Sequence, residues 1–480
     1  MHHFFLVTIP TGMPPHKNRY LALTRMAFTT QSRQAVGSMK AAAIKYPVIL
    51  TVATLISLIL VLIPFHAFLT VWLASNFGHY MALRLWKEDL LIVCALGALY
   101  LLLTDIKIRS HTLSRRLVWL IVAYGLLQLV YGLLALHWHN VTPKALGYGL
   151  IINTRFLVFF LFCWAVALRT ARLHKNWQKF LLWPALVVIV VGLLQALVLP
   201  SDFLRHFGYG PQTILPFETI NHNAFYVRVQ STLRGSNPFG AYLVVPLTVL
   251  SVLIIRGQRN WQRLALLLAG LVALFFTFSR SAWLGAAIAI SLAVILGARA
   301  PQTRRRFAYL ALAGVVALAG IGLALHHNAR VENVVLHTES GTTAKLSSNQ
   351  GHVSAFKSGL RDIVHHPLGL GTGTAGPASV YNNHQARISE NYFLQIGQET
   401  GLLGLLLFVL ITGGVGYLLW LHRADPLALS LFASLIGLTV INLLSHAWAD
   451  DTLAYVWWGF AGVAMAPRAI LADRVKPDEQ

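Results

Sequence analysis

Charge is scarce in this sequence, and negative charge is the scarcest kind. Only 11% of the 480 residues are charged, with 16 Asp and Glu against 38 Lys and Arg. So few charged side chains are not enough to cover the surface of a water-soluble protein of this length. The basic residues are scattered between apolar runs rather than gathered on one face, so the excess positive charge does not indicate a nucleic-acid binder.

Cysteine is also scarce, since Cys94 and Cys163 are the only two and both lie inside apolar runs. They provide no disulfide framework, zinc spacing or redox motif. A GxxxxGK[ST] phosphate loop and a GxGxxG turn after a strand are missing as well, so a cytoplasmic nucleotide is not the expected substrate. Histidines within 326–391 lack the tight spacing with carboxylates or Cys that is typical of metal sites. We therefore expect no metal and no other cofactor.

Apolar runs make up most of the chain, because 56% of residues are hydrophobic and the mean hydropathy is +0.63. A helix of about 20 apolar residues crosses the hydrocarbon core of a bilayer. Such runs predict an all-α, polytopic integral membrane protein with about twelve transmembrane helices. The predicted spans are 47–74, 88–104, 117–136, 149–167, 180–199, 238–255, 264–278, 281–298, 308–325, 392–420, 426–444 and 452–467.

Lys and Arg predict the orientation, because cytoplasmic loops carry an excess of them. With the N-terminus inside, the basic clusters at 107–116, 169–179, 256–263 and 299–306 all face the cytoplasm. Both termini are then cytoplasmic, and two long loops face outward. The predicted organisation is a disordered tail (1–45), nine spans (46–325) with an outer loop (200–237), a large periplasmic loop (326–391), three spans (392–467) and a tail (468–480).

One arginine divides a long apolar run, Leu264 to Ala298, in which Arg280 is the single charged residue. About 35 helical residues would extend about 52 Å, far more than the roughly 30 Å hydrocarbon core. Treating the run as one span would also reverse the orientation of every later loop. We therefore predict two spans, with Ser279, Arg280 and Ser281 at the extracytoplasmic tip of a hairpin.

Several other polar residues converge on the predicted outer side. Arg155 lies inside the fourth span, where an arginine is a functional candidate, although snorkelling to the interface explains it equally well. Arg228 and Arg234 precede the sixth span, while His352 and Arg361 lie in the large loop. Guanidinium groups bind phosphate oxygens in a bidentate manner. As a set these arginines favour an anionic headgroup as ligand, although any one alone could be merely solvated.

Glu390 begins the stretch "ENYFLQIGQETGLLG" before the tenth predicted span. A carboxylate at a helix N-terminus is electrostatically favoured, so Glu390 is either a helix-start residue or a general base. Glu399 lies nine residues later, half a turn around a helix, and is not expected to face the same cavity. The GxxxG pair of Gly397 and Gly401 predicts close helix packing rather than chemistry.

Four motifs, in order, resemble those of a known family: "LRGSNPFGAYL", "FTFSRSAWLG", "GHVSAFKSGLRDIVHHPLGLGTGTAG" and "ENYFLQIGQETGLLG". The family is the O-antigen ligase and polymerase superfamily, multi-span glycosyltransferases that use polyprenyl-diphosphate-linked glycans. The likeness covers roughly 228–404. Two positions depart from it, because the ligase pattern has His at the position of Glu390 and many members have Arg at that of His352.

The resemblance implies a glycosyltransferase of the bacterial inner membrane whose active site faces the periplasm. It would move a glycan from undecaprenyl diphosphate to a hydroxyl of lipid A-core, as in lipopolysaccharide biosynthesis. A polysaccharide polymerase and a protein O-oligosaccharyltransferase fit equally, and a lipid-linked glycan transporter is the alternative outside the enzymes. The resemblance implies Glu390 and His352 as catalytic residues, and contacts to the diphosphate from Arg228, Arg234, Arg280 and Arg361; Arg155 joins these candidate contacts through its place inside a span.

Overall fold

The computed structural model describes residues 46–113, 115–220, 223–324 and 348–466. The chain forms two units, Met1–Thr51, of which 46–51 are described, and Val52–Gln480, which contains every other element. The tails predicted at 1–45 and 468–480 lie outside the described residues, as do residues 326–347 of the predicted large loop.

Helices form almost all of the described structure. They are α1 Tyr46–Phe77, α2 Tyr80–Arg84, α3 Trp86–Thr104, α4 Ile106–Leu113, α5 Arg116–His137, α6 Pro143–Ala167, α7 Arg172–Leu197, α8 Ser236–Ile255, α9 Trp261–Phe276, α10 Arg280–Gly297, α11 Pro301–Ala324, α12 Ser348–His365, α13 Tyr392–Leu421, α14 Pro426–Leu444 and α15 Asp451–Ala464. Each predicted span coincides with one of these helices. Several begin earlier than predicted, as at Pro143, where Thr142 caps the helix and proline occupies its first turn.

Eight of the described helices are long and apolar enough to cross a membrane: α1, α5, α6, α7, α8, α10, α13 and α14. Helix α9 is apolar but shorter, α3 begins with Lys87, Glu88 and Asp89, and α15 has 14 residues. Helices α8 and α15 are buried along nearly their whole length, and α6, α10 and α14 pack against them. The chain is therefore a multi-pass, mostly helical membrane protein. The total of twelve spans and the orientation stay predictions.

A small sheet adds to the predicted all-α architecture. Strands β1 (Glu218–Ile220) and β2 (Asn223–Arg228) pair antiparallel within the predicted outer loop 200–237, with Glu218 opposite Arg228. The chain after β2 is held to α7, because the amide of Ser231 donates to Oε1 of Gln195 at 2.8 Å and its hydroxyl donates to the carbonyl of Val188 at 2.6 Å. The hairpin thereby fixes the approach to α8.

The long apolar run around Arg280 is two helices, because α9 ends at Phe276 and α10 begins at Arg280. In the turn between them Phe278 has φ 48°, in the left-handed region. Trp283 closes the turn by donating its indole N–H to the carbonyl of Leu274 at 2.9 Å, and its ring stacks on Phe275 at 5.6 Å. Arg280 is therefore the first residue of α10, immediately after the turn.

Helix α13 is interrupted at Gly401, where φ is 66° and ψ is −165°. A glycine-rich segment, residues 367–376, enters this break. The amide of Leu402 donates to the carbonyl of Pro367 at 2.9 Å, and the amide of Gly371 donates to that of Glu399 at 2.8 Å. Gly397 packs closely on helix α12, as its GxxxG spacing predicts. Gly401 instead packs against the glycine-rich segment.

Replacing Gly401 with Ala is expected to lower the free energy of unfolding by about 2–4 kcal/mol. The loss arises because a residue with a Cβ is strained at this positive φ and because the Cβ overlaps neighbouring atoms. The added Cβ would lie 2.3 Å from the carbonyl oxygen of Pro367. Thermal unfolding in detergent measures the loss. Gly413→Ala is the matched control, because its Cβ would have nothing within 4 Å in the same helix. Equal unfolding temperatures for both variants would contradict the break at Gly401.

Candidate functional site

The candidate residues gather where alternate helix connections meet. Arg228 and Arg234 precede α8, Arg280 follows the turn after α9, and Glu390 precedes α13. Side-chain bonds join these connections to one another: Arg228 reaches the turn after α9, and Arg234 reaches the residue before α15. Since alternate connections of consecutive spans lie at the same end of a bundle, these residues share one end of the helices.

Glu390 and His352 are in direct contact through the carboxylate Oε2 and the imidazole Nδ1. The φ of Glu390 is 52°, a left-handed conformation that costs about 1–3 kcal/mol and is typical of functional sites. Asn391, not Glu390, caps helix α13, because its side chain accepts from the amide of Leu394 at 3.0 Å. Glu390 therefore lies just outside the helix with its carboxylate committed to His352.

His446 is a third group beside this pair. Asn391 donates to the carbonyl of Leu443 at 2.9 Å, which holds Glu390 near the end of α14 where His446 follows. Burial lowers the pKa of His446 to about 4, against the opposing field of Glu390. His446 is therefore neutral at pH 7, and its buried Nδ1 has no hydrogen-bond partner among the described residues.

Arg234 connects these groups to the start of α15. Its Nε lies 3.2 Å from Oδ2 of Asp450, whose other oxygen caps α15 through the amide of Leu453 at 3.3 Å. The side chain of Arg234 is 44% exposed, whereas that of Asp450 is 6% exposed. Within the described part of the chain the two terminal NH₂ groups of Arg234 have no partner, so they remain available to an anion.

Arg228 and Arg280 form a second basic group. The guanidinium of Arg228 donates to the carbonyl of Thr277 at 3.0 Å and to Asn237 at 2.6 Å, and lies 3.7 Å from Glu218. Burial lowers the pKa of Arg228, and the nearby charge of Arg280 acts in the same direction. Arg228 bonds the turn that Arg280 follows, so both arginines carry positive charge to this turn, where guanidinium groups can bind an anion.

A buried ion-pair network lies beneath Arg234, centred on the carboxylate of Asp451. Arg155 pairs with one oxygen of Asp451, and Lys87 lies 3.1 Å from the other. Glu88 joins the same cations, at 2.8 Å from Lys87 and 3.3 Å from Arg155. Arg155 also donates to the carbonyl of Ala449 at 3.1 Å. Multiple partners of this kind are required to keep buried charges stable.

The structure brings some of the predicted site residues together and separates others. Glu390 and His352 are in contact, Arg234 and His446 belong to the same group, and Arg228 bonds the turn that Arg280 follows. Arg155 is 5% exposed and holds Asp451 from below, and Arg361 is exposed on α12. The residues missed are His446, Asp450, Asp451, Lys87, Glu88 and Arg84. Asp450 and Asp451 could have been noticed from the sequence, because two adjacent carboxylates are unusual in a chain with only 16 Asp and Glu residues.

Glu399 has a separate environment from Glu390, as its position in the helix predicts. Its carboxylate accepts from the amide of Gly373 at 2.9 Å and from Asn153 at 2.5 Å, fully buried. Thr372 in the same loop donates to Gln128 at 2.7 Å. Glu399 therefore anchors the glycine-rich segment between α5, α6 and α13.

The fold and this site define a class: a multi-pass membrane protein with clustered arginines and a strained carboxylate at one end of its helices. Residues 264–409 match a family described as O-antigen ligase, a stretch that contains Arg280, His352 and Glu390. An O-antigen polymerase of Salmonella muenchen is 22% identical over 240 residues, which cover 48% of this chain and 57% of that protein. The chain thus spans little more than half the length of this relative. The predicted resemblance to the O-antigen ligase and polymerase superfamily is confirmed.

Proposed function

We propose that the protein is a membrane glycosyltransferase that moves a glycan from undecaprenyl diphosphate to an acceptor hydroxyl. The reaction takes place at the periplasmic face of the bacterial inner membrane, during assembly of lipopolysaccharide or another surface polysaccharide. One observation carries the proposal: Arg228 bonds the turn that Arg280 follows, at the same end of the helices as the contact between Glu390 and His352. The family match over residues 264–409 supports it.

The arginines act on the diphosphate. Arg228 and Arg280 supply positive charge at one turn, and Arg234 offers two further donor groups. When the sugar is transferred, the bond from its anomeric carbon to the diphosphate breaks and negative charge builds on the departing oxygen. Positive groups already in position stabilise that charge in the transition state. Arg155 and Arg361 support the site from a greater distance.

Glu390 acts on the acceptor. The hydrogen bond from His352 lowers the pKa of Glu390, so the carboxylate is ionised at neutral pH and can take a proton. The acceptor hydroxyl gives up its proton to this carboxylate as its oxygen forms the new bond to the anomeric carbon. His352 orients the carboxylate, and the strained backbone of Glu390 keeps it outside helix α13.

Three acceptors fit this chemistry, and a deletion strain separates them. Unattached long glycan chains would indicate a lost ligase acting on lipid A-core, and single repeat units a lost polymerase, which the Salmonella relative supports equally. Unmodified secreted proteins would indicate a lost protein O-oligosaccharyltransferase. Normal transfer by the deletion strain's membranes from purified lipid-linked donor would remove the enzyme proposal and favour a transporter.

Transfer is expected to be independent of metal, because arginine supplies the positive charge that a divalent ion would otherwise provide. Purified protein treated with EDTA should transfer glycan at the untreated rate. Loss of activity with EDTA, followed by recovery on adding one divalent ion, would contradict this expectation.

Loss of His352 is expected to move the acid limb of the pH–rate profile to higher pH. His352 lowers the pKa of Glu390, so replacing it with Phe raises that pKa and protonates the base at a higher pH than in wild type. His365→Phe is the matched control on the same helix, because among the described residues its imidazole is hydrogen-bonded only to the carbonyl of Arg361, at 2.8 Å. An unchanged acid limb in His352→Phe would mean that His352 does not affect the pKa of the base.

A further inference from the structure

A cavity of about 190 Å³ opens beside Arg234. It lies between α1, the short helix α2, the loop before β1 and the start of α15. None of its lining belongs to the part of the chain that matches the O-antigen ligase family, residues 264–409. The polar side chains that line it include Thr70, Tyr80, Arg84, Arg234, Asp450 and Asp451.

The floor of the cavity is rigid because its groups have several partners each. His66 accepts the indole N–H of Trp86 on Nδ1 at 2.9 Å, so its proton is on Nε2, which lies 3.5 Å from Asp451. Asp451 also receives Arg155 and Lys87. Such a network keeps an acceptor surface in place without ligand, which lowers the ordering cost of binding.

The walls, in contrast, present groups that are not yet paired. The Tyr80 hydroxyl has no hydrogen-bond partner within the described residues, and neither do the terminal NH₂ groups of Arg234. Arg84 bonds the hydroxyl of Tyr148 and is held over its ring at 5.3 Å from the centroid. A ligand therefore meets donors on the walls and carboxylate acceptors at the floor.

This mixture of donors and acceptors suits a polyol. Hydroxyl groups can donate to the carboxylate oxygens of Asp450 and Asp451 and can accept from arginine and tyrosine. A volume of about 190 Å³ suits one sugar ring rather than a chain. Arg234 touches both this cavity and the site proposed for the diphosphate.

We propose that this cavity binds the sugar residue directly attached to the donor diphosphate, through its hydroxyl groups, and so determines which donor is accepted. The proposal rests on the proposed function for its choice of donor. Arg234 then holds the junction between sugar and diphosphate, with Tyr80 and Thr70 on the sugar side.

Binding to lipid donors tests this assignment without any need for turnover. The probes are undecaprenyl diphosphate alone and the same lipid carrying one galactose or one N-acetylglucosamine, bound to full-length protein in nanodiscs. Wild type should bind one glycosylated lipid at least several-fold more tightly than the bare lipid. Tyr80→Phe and Thr70→Val should each weaken only that glycosylated lipid, by about 3- to 10-fold for one lost hydrogen bond.

Tyr209→Phe is the matched control, because Tyr209 packs in the neighbouring apolar cluster with Val71 and Leu204 and does not line the cavity. It should leave all affinities unchanged. The sugar site would be overturned if wild type bound all three lipids with equal affinity. It would also be overturned if the variants weakened binding of the bare lipid as much as binding of the glycosylated lipid. Transfer assays on the same samples separate the two proposals: turnover without a sugar preference removes only the sugar site, and a sugar preference without turnover removes only the transferase.

Discussion

Replacing Glu390 with Gln is expected to lower the rate of glycan transfer about 10²–10⁴-fold, the usual contribution of a positioned general base. Gln has the shape of Glu and can still bond His352, but it cannot accept a proton at neutral pH. Because the arginines are untouched, the affinity for the donor lipid should remain that of wild type. The loss should therefore appear in kcat, measured with purified lipid-linked donor and excess acceptor.

Asp89→Asn provides the matched control for this substitution. Asp89 is an exposed carboxylate in the first turn of α3, outside the groups around Glu390, so its neutralisation should leave the rate unchanged. A wild-type rate in Glu390→Gln would remove Glu390 as the base. Restoration of the rate at raised pH would instead indicate that the acceptor hydroxyl ionises without help from this residue.

Replacing Arg280 with Ala is expected to lower the transfer rate about 10²–10³-fold, as for loss of one donor to a developing negative charge. Arg280→Lys should recover part of the rate only, because a lysine ammonium is a point charge without the guanidinium's paired donors. The donor affinity should fall too, since Arg280 would contact the diphosphate before and during the reaction. Both constants can be measured with the same lipid-linked donor.

Arg259→Ala is the matched control for Arg280, because Arg259 is exposed at the opposite end of α9. Its removal also lowers the net charge by one, so it corrects for the protein's general attraction to anionic lipid. Comparable losses in both variants would mean that charge alone matters, not the position of Arg280 after the turn.

The helices could be predicted from the sequence because each apolar run carries its own signal of length and composition. Arg280 also marked its turn, since a single charge in a long run has few stable positions. The strands at 218–228 are not predicted, because each strand of a two-stranded hairpin is far shorter than the apolar runs that indicate membrane spans. Their residues still include the aromatic and β-branched run "FYVRV", a weak strand signal.

The site could be predicted only in part, because its contacts join distant segments. Arg155 was recognised as unusual, yet its bond to the carbonyl of Ala449 spans 294 positions and leaves no local trace. Helical spacing predicts only that Glu399 faces away from Glu390, whereas its partners Asn153 and Gly373 come from two other segments. The partners of such side chains can be identified only from the folded structure, in which these distant segments are in contact.

The break at Gly401 divides α13 into two parts with different mechanical roles. Residues 392–400 are bonded to the glycine-rich segment and, through Glu399, to α6, whereas 402–421 form the longer apolar part. A bilayer that thickens or thins changes the tilt of apolar helices. The regular helical conformation is already interrupted at Gly401, so we expect such a tilt to be taken up there, with Glu390 keeping its place beside residues 392–400.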